Sequence, residues 1–229
     1  MVSPIGSSFL KAGSVALIVV IIQACTCSND ITTPREVDPT TTASIRCISA
    51  SADAPSISVM QNDRPLIQGV SHTDTMATYT VLPSGIRNIR CVGDQGAVAF
   101  LSTNIDFGID KKYTLVMFDK ADRMRSVVMY DLVPIAVHGM AHIRLVHVAD
   151  STGSIILSAD DQVIGMSVPY PTAGEYLPVP AGSELSLILQ DGSSAHVPIN
   201  VDVGTPGTAY TVVVDRDVSS TRVRCFRDR

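Results

Sequence analysis

Eight residues near the middle of the chain, Ala141 to Val148 (A-H-I-R-L-V-H-V), echo Ala43 to Ala50 (A-S-I-R-C-I-S-A) at a separation of 98 residues. An echo at a fixed period is the signature of one structural unit written twice, which narrows the choice of folds before any residue-level reading. The parallel runs to the end of the chain. Ser154-Ile155-Ile156-Leu157 answers Ser56-Ile57-Ser58-Val59, and Tyr176 answers Tyr79. Val179-Pro180-Ala181-Gly182 answers Leu82-Pro83-Ser84-Gly85, and Tyr210-Thr211-Val212-Val213 answers Tyr113-Thr114-Leu115-Val116.

Within each copy the apolar residues alternate with a period of two. Ile45, Cys47 and Ser49 alternate with Arg46 and Ile48, and Ile57 and Val59 share a face. Asn62-Asp63 and Asp160-Asp161 carry the chemistry of tight hairpins. Tyr113 to Phe118 (Y-T-L-V-M-F) reads as a run of buried type. Turn residues recur every ~8–12 positions, which predicts antiparallel sandwiches. Aromatic residues are only 5% of the chain and Trp is absent; the apolar residues are rich in Val and Ile, with many Thr and Ser, a mix that favours strands over helices. Hydrophobic content of 45% excludes a mostly disordered chain.

The first residues predict a targeting segment rather than part of the fold. Lys11 precedes a short apolar run ending at Ala24, of secretory-signal length and too short for a comfortable membrane span. Ile22-Gln23-Ala24-Cys25 resembles a bacterial lipoprotein box, which implies lipidation of Cys25; Gln23 and Ile22 depart from its commonest residues. Stable anchoring needs at least two acyl chains. Residues 25–42, rich in Thr and Pro, then read as a tether. The expected organisation is a signal peptide over 1–24, a tether over 25–42, a first sandwich over 43–133, a linker over 134–140 and a second sandwich over 141–229. The linker is short and partly apolar, which predicts sandwiches packed end to end. Loss of Lys11 would leave the chain one unit more acidic than its formal −5, an argument against nucleic acid and anionic headgroups as partners.

The pattern I-R-x-I/V, then D-A-P, a hairpin turn, Tyr before L-P-x-G and finally G-x-x-Y-T-V-V resembles the domain-of-unknown-function family numbered 4397. The resemblance covers 43–132 and 141–226. It implies an immunoglobulin-like fold, in secreted or cell-surface bacterial proteins, and brings no catalytic residues. The first copy keeps Asp53-Ala54-Pro55, whereas the second has Ser151-Thr152-Gly153.

Few residues suggest chemistry. Cys47 and Cys91 lie in different strands of the first copy and would bond only if their Cα atoms approach within ~7 Å. Otherwise they are small buried hydrophobes whose counterparts are Leu145 and about Ile188. Cys225 matches Met129 and reads as packing. His138 and His142 fall at a linker and a strand start, and His142 and His147 point to opposite faces, so no metal site is expected. Asp160-Asp161 and Asn62-Asp63 lack the ligand run of a calcium loop. No G-x-S-x-G or other nucleophile motif is present, and no catalytic residue or cofactor is expected. Tyr79, Tyr113, Tyr176 and Tyr210 recur in register as fold determinants with locally satisfied hydroxyls. Tyr170, between Pro169 and Pro171, is the candidate exposed ligand contact, because loops on rigid scaffolds carry function.

The expected protein is therefore all-β, with two tandem immunoglobulin-like antiparallel β-sandwich domains. It is expected to hang from the bacterial cell envelope by a lipid, at the outer membrane, the surface or the periplasmic face. It would bind a glycan or protein, or act as a spacer. The competing readings are a secreted or surface hydrolase of glycans or peptides, and an adhesin or fibre subunit with an exposed edge strand.

Overall fold

Alternating Val, Ile and Thr make extended backbone the favoured state of this chain. Strands form throughout the described residues, which are 40–54, 56–93, 99–150, 152–190, 196–216 and 220–228 of the computed structural model. The fold is an all-β sandwich. The Cys25 lipidation site, the signal segment and most of the tether lie outside those residues. Among the described residues, no helix is long and apolar enough to cross a membrane.

The first half contains β1 (Thr42–Ala50), β2 (Ile57–Gln61), β3 (Arg64–Val70), β4 (Thr80–Pro83), β5 (Gly85–Gly93), β6 (Ala99–Phe107), β7 (Lys112–Phe118) and β8 (Arg125–Tyr130). A 3₁₀ turn over Ala121–Arg123 joins the last two. One sheet has the order β4-β1-β7-β8 and the other β3-β2-β5-β6. The second half contains β9 (Met140–His147), β10 (Ile155–Ala159), β11 (Gln162–Val168), β12 (Thr172–Ala173), β13 (Leu177–Pro180), β14 (Leu185–Leu189), β15 (His196–Pro198), β16 (Ala209–Arg216) and β17 (Thr221–Arg227). Its sheets have the orders β12-β9-β16-β17, with β13 also on β9, and β11-β10-β14-β15. Pairing is antiparallel except for β1 with β7 and β9 with β16, which run parallel. Ladder position sets Cys91 opposite Val59 as Leu187 stands opposite Leu157, so the positional equivalent of Cys91 is Leu187. Likewise Cys225 faces Val212 as Val128 faces Leu115.

Two-residue hairpins close β2–β3 and β10–β11. Asn62 and Asp63 sit at φ 46° and 62°, and Asp160 and Asp161 at 48° and 60°. Both central residues at positive φ match the right-handed strand twist, and Asn and Asp tolerate that region.

Three apolar layers result. Ile45, Cys47, Ile57, Ile89, Phe107 and Leu115 fill the first sandwich. Ile143, Leu145, Leu157, Leu187 and Val212 fill the second. The third layer contains Ile48, Val116, Phe118 and Met129 from the first half with Val146, Val213 and Phe226 from the second. Each such side chain contributes on the order of 1.5–3 kcal/mol when fully buried. This layer corrects the expectation of end-to-end packing: the sheets β4-β1-β7-β8 and β12-β9-β16-β17 lie against each other. The cause is visible in β1 and β9, which are buried on both faces; odd positions Ile45 and Ile143 enter their own cores while even positions Ile48 and Val146 enter the joint.

Candidate functional site

The joint between the two inner sheets also holds charge. Arg46 on β1 and Arg144 on β9 are 0% and 3% exposed, each flanked by apolar positions of its strand. A buried guanidinium must be paired and hydrogen-bonded to be tolerated. Each arginine finds its carboxylate in the opposite half. Arg46 Nη2 donates to Asp228 Oδ1, and Arg144 Nη2 donates to Asp131 Oδ1 at 2.5 Å.

Each carboxylate is held in turn by its own half. Asp131 Oδ2 accepts from Tyr79 at 2.8 Å and from Thr114 at 2.6 Å. Asp228 Oδ2 accepts from Tyr176 at 2.7 Å and from Thr211 at 2.8 Å. The arginines also stack on these rings, Arg46 over Tyr79 at 5.1 Å and Arg144 over Tyr176 at 4.6 Å. Arg46 Nε donates to Thr114 Oγ1 at 2.7 Å, and both arginines donate to Thr211 Oγ1 through Nη2. Burial pulls the Arg46 guanidinium down, but Asp228, Tyr79 and Asp131 outweigh it and hold its pKa above the ordinary value. Burial pushes the Tyr79 and Tyr176 hydroxyls well up, so both stay protonated donors.

A second cluster closes the other end of the joint. Asp215, fully buried, accepts from Arg222 at 2.8 Å and from Arg224 at 2.6 Å. Arg224 Nη2 also reaches Ser49 O of the first half at 2.6 Å. His147 is fully buried; its Nε2 lies 2.7 Å from Gly153 O, and its ring meets Tyr170 edge-on at 5.9 Å.

These groups are spent on structure, and what could meet a ligand lies at the rims. A cleft of about 560 Å³ is lined by Val127, Tyr130, Leu132, Arg144, Glu175 and Tyr176. One of about 340 Å³ lies across the joint by Met76, Asn200, Tyr210 and Cys225. One of about 420 Å³ lies at the loop end, with Ala50, Ala52 and Val148 beneath Asp53, Asp119, Lys120, Arg123, Asp150 and Arg216.

Tyr170 lies in the joint rather than standing exposed. Its ring packs edge-on to Phe118 at 6.1 Å, its hydroxyl donates to Asp119 Oδ1 at 3.0 Å, and Arg125 both bonds that hydroxyl and stacks on the ring. Cys47 and Cys91 are free thiols on facing sheets of the first core, and Cys225 is free as well. Burial pushes the Cys91 thiol up to about 12 and that of Cys225 to about 11; burial also holds the Cys47 thiol well above its ordinary value, with the neighbouring Cys91 adding to it. Asp53 of the D-A-P motif accepts from Ser51 Oγ and from Ala121 N, both at 3.0 Å, and so fastens the β1–β2 loop to the 3₁₀ turn. Asp160 accepts from Glu184 N at 2.9 Å, a turn contact. Among the described residues, no three His, Cys, Asp or Glu converge as metal ligands.

Arg46, Arg144, Asp131 and Asp228 did not stand out as site residues in the sequence. The available signal was a full charge at the centre of an apolar strand, present at the same place in both echoing stretches. Lys120 and Arg123 had no signal at all.

Comparison with known proteins gives one family. The profile described as "Domain of unknown function (DUF4397)" matches residues 43–158, which is over half of the chain and includes Arg46, Asp131 and Arg144. No curated protein matches by sequence. Among solved structures, one match is a protein described as a candidate cell-adhesion protein from Bacteroides uniformis. It is 7% identical, covers 82% of this chain and 98% of its own, and gives a TM-score of 0.26. A family-26 carbohydrate-binding module from Eubacterium rectale, solved with maltoheptaose, is 12% identical over 80% of this chain and 95% of its own, at a TM-score of 0.25. A streptococcal virulence factor described as binding α-glucan is 10% identical over 80% and 97%, at 0.27.

Proposed function

The chain belongs to the DUF4397 family of domains of unknown function, and we propose that it is a lipid-anchored protein of the bacterial cell envelope that acts by binding, with no catalytic step of its own. Two copies of one sandwich, 43–133 and 141–229 with 134–140 between them, form its rigid head. The tether over 25–42 lifts that head from a lipid on Cys25. The carrying observation is where the polar side chains go. Arg46, Arg144, Asp131, Asp228, Asp215 and Arg224 are buried and mutually satisfied in the joint. Catalysis needs an activated group with reach into a cleft. The buried His147 is committed to Gly153 and Thr152 instead. A head locked by buried ion pairs keeps its rim loops in fixed relation, which lowers the ordering cost of binding.

The test is metabolic labelling with radioactive palmitate. Label should enter the wild type and be lost in Cys25→Ala. Equal labelling of the two would overturn the anchor.

A further inference from the structure

The cleft at the loop end has walls from both halves. Ala50, Ala52 and Val148 give it a small-residue floor, and six charged side chains ring it. Its volume of about 420 Å³ lies in the range of small-molecule sites. Three of the six are carboxylates, and each is already oriented by the protein. Asp53 accepts from Ser51 and Ala121 N, and Asp119 accepts from Arg125 at 2.6 Å and Tyr170 at 3.0 Å. Asp150 lies 3.6 Å from Arg216.

The cations are unevenly matched. Arg216 faces Asp150, whereas Lys120 and Arg123 make no ion pair among the described residues. They bracket the 3₁₀ turn, closed by the bond from Arg123 N to Lys120 O at 3.0 Å. Lys120 is the extended residue before the turn and Arg123 its last residue, and both line the cleft. A carboxylate has about four acceptor sites, so each rim aspartate keeps lone pairs beyond those used inside the protein.

We propose that this cleft binds an acidic sugar unit, its carboxylate held by Lys120 and Arg123 and its hydroxyls donating to Asp53, Asp119 and Asp150. A simple inorganic anion would answer Lys120 and Arg123 but bring no hydroxyl donors to the three carboxylates. A neutral sugar would leave the paired cations unanswered. A polyhydroxylated acid answers both halves of the rim. This rests on the binding role proposed above and gives it a place and a ligand class.

Isothermal titration of the full chain in detergent with a hexuronate disaccharide tests it, the uncharged hexose disaccharide serving as control. The uronate should bind and the neutral sugar should bind at least about tenfold more weakly, with affinity falling as salt rises. The double variant Lys120→Gln/Arg123→Gln changes two exposed side chains and should keep its melting temperature while losing about tenfold in affinity. Equal binding of both sugars, unchanged affinity in the double variant, or no heat from the uronate at millimolar concentration would each overturn the proposal. Palmitate incorporation is unaffected by any of these results, so the anchor is judged separately.

Discussion

Arg46 and Asp228 stand 182 residues apart in the sequence and form an ion pair with both side chains fully buried. Arg144 and Asp131, only 13 residues apart, form its counterpart with side chains 4% and 1% exposed. The two pairs run in opposite directions across one joint. Each half thus lends a carboxylate to the other's arginine, so neither half can leave without stranding a charge in each. An unpaired buried ion costs several kcal/mol, which makes the joint closer to all-or-none than an apolar contact alone would be.

Removal of one partner should therefore cost far more than removal of both. Asp228→Ala strands Arg46, Tyr176 and Thr211 and should destabilise the protein by about 3–5 kcal/mol. Replacing the pair together, as Arg46→Met with Asp228→Leu, should recover most of that loss. Urea unfolding of the single and double variants measures the coupling. If Asp228→Ala shifts stability by less than about 1 kcal/mol, comparable to an exposed pair, the joint does not depend on it.

Acid should weaken the fold through His147. Burial lowers its pKa from the ordinary 6.5. The unfolded chain then takes up a proton that the folded one refuses. Its contribution is complete above the ordinary value and is lost as pH falls from there through the folded value. Stability curves from pH 8 to 5 should be flatter in His147→Gln than in the wild type, whatever its absolute stability.

Alkali should act on the joint through the tyrosines. Tyr79 and Tyr176 are both raised from the ordinary 10.0, first by burial. For a raised acid the contribution is complete below the unfolded value and lost as pH climbs toward the folded one. Stability should therefore decline from about pH 10 upward. In Tyr79→Phe/Tyr176→Phe that slope should shrink, although the two lost hydroxyl bonds lower the starting point. An unchanged slope would mean that both hydroxyls ionise in the folded protein.

The three described cysteines should be slow to react in the native protein. Cys47 and Cys91 are buried, and burial raises all three thiols, so little thiolate exists at neutral pH. Peptide mapping after iodoacetamide should find them modified only after unfolding. Modification of Cys47 in the native state within minutes would show that the first core opens readily.

Some of this was legible in advance, and the reason differs by feature. Turn chemistry is local, so Asn62-Asp63 and Asp160-Asp161 announce hairpins whatever surrounds them. Alternation over Ile45 to Ala50 reads as a strand because side-chain direction is fixed by the backbone. The same alternation cannot say what covers the second face. Ile48 and Arg46 share that face, one apolar and one charged, and the apolar layer there is supplied by Val146, Val213 and Phe226. The partner that lets Arg46 be buried, Asp228, lies 182 residues away, beyond the reach of any local pattern. The rim cations Lys120 and Arg123 sit in a connection with no periodicity, and only the folded loop brings both to one cleft.

Tyr170 separates a contact made for folding from one made for a ligand. The prolines on either side put it in a loop, which suggested exposure, yet its ring meets Phe118, His147 and Arg125 and its hydroxyl holds Asp119. These partners belong to both halves, so truncation should open the joint at one corner. Tyr170→Ala should cost about 2–4 kcal/mol, in the lower range for a large aromatic because the ring is only half-buried. Tyr170→Phe keeps the packing and loses the hydroxyl bonds, which should cost about 0.5–1.5 kcal/mol. Denaturant midpoints of the three proteins give the order. Asp119 also rims the loop-end cleft, so Tyr170→Phe leaves that carboxylate with one donor fewer. If Tyr170→Ala unfolds at the wild-type midpoint, the ring contributes nothing to the joint, and it returns to being a candidate ligand contact.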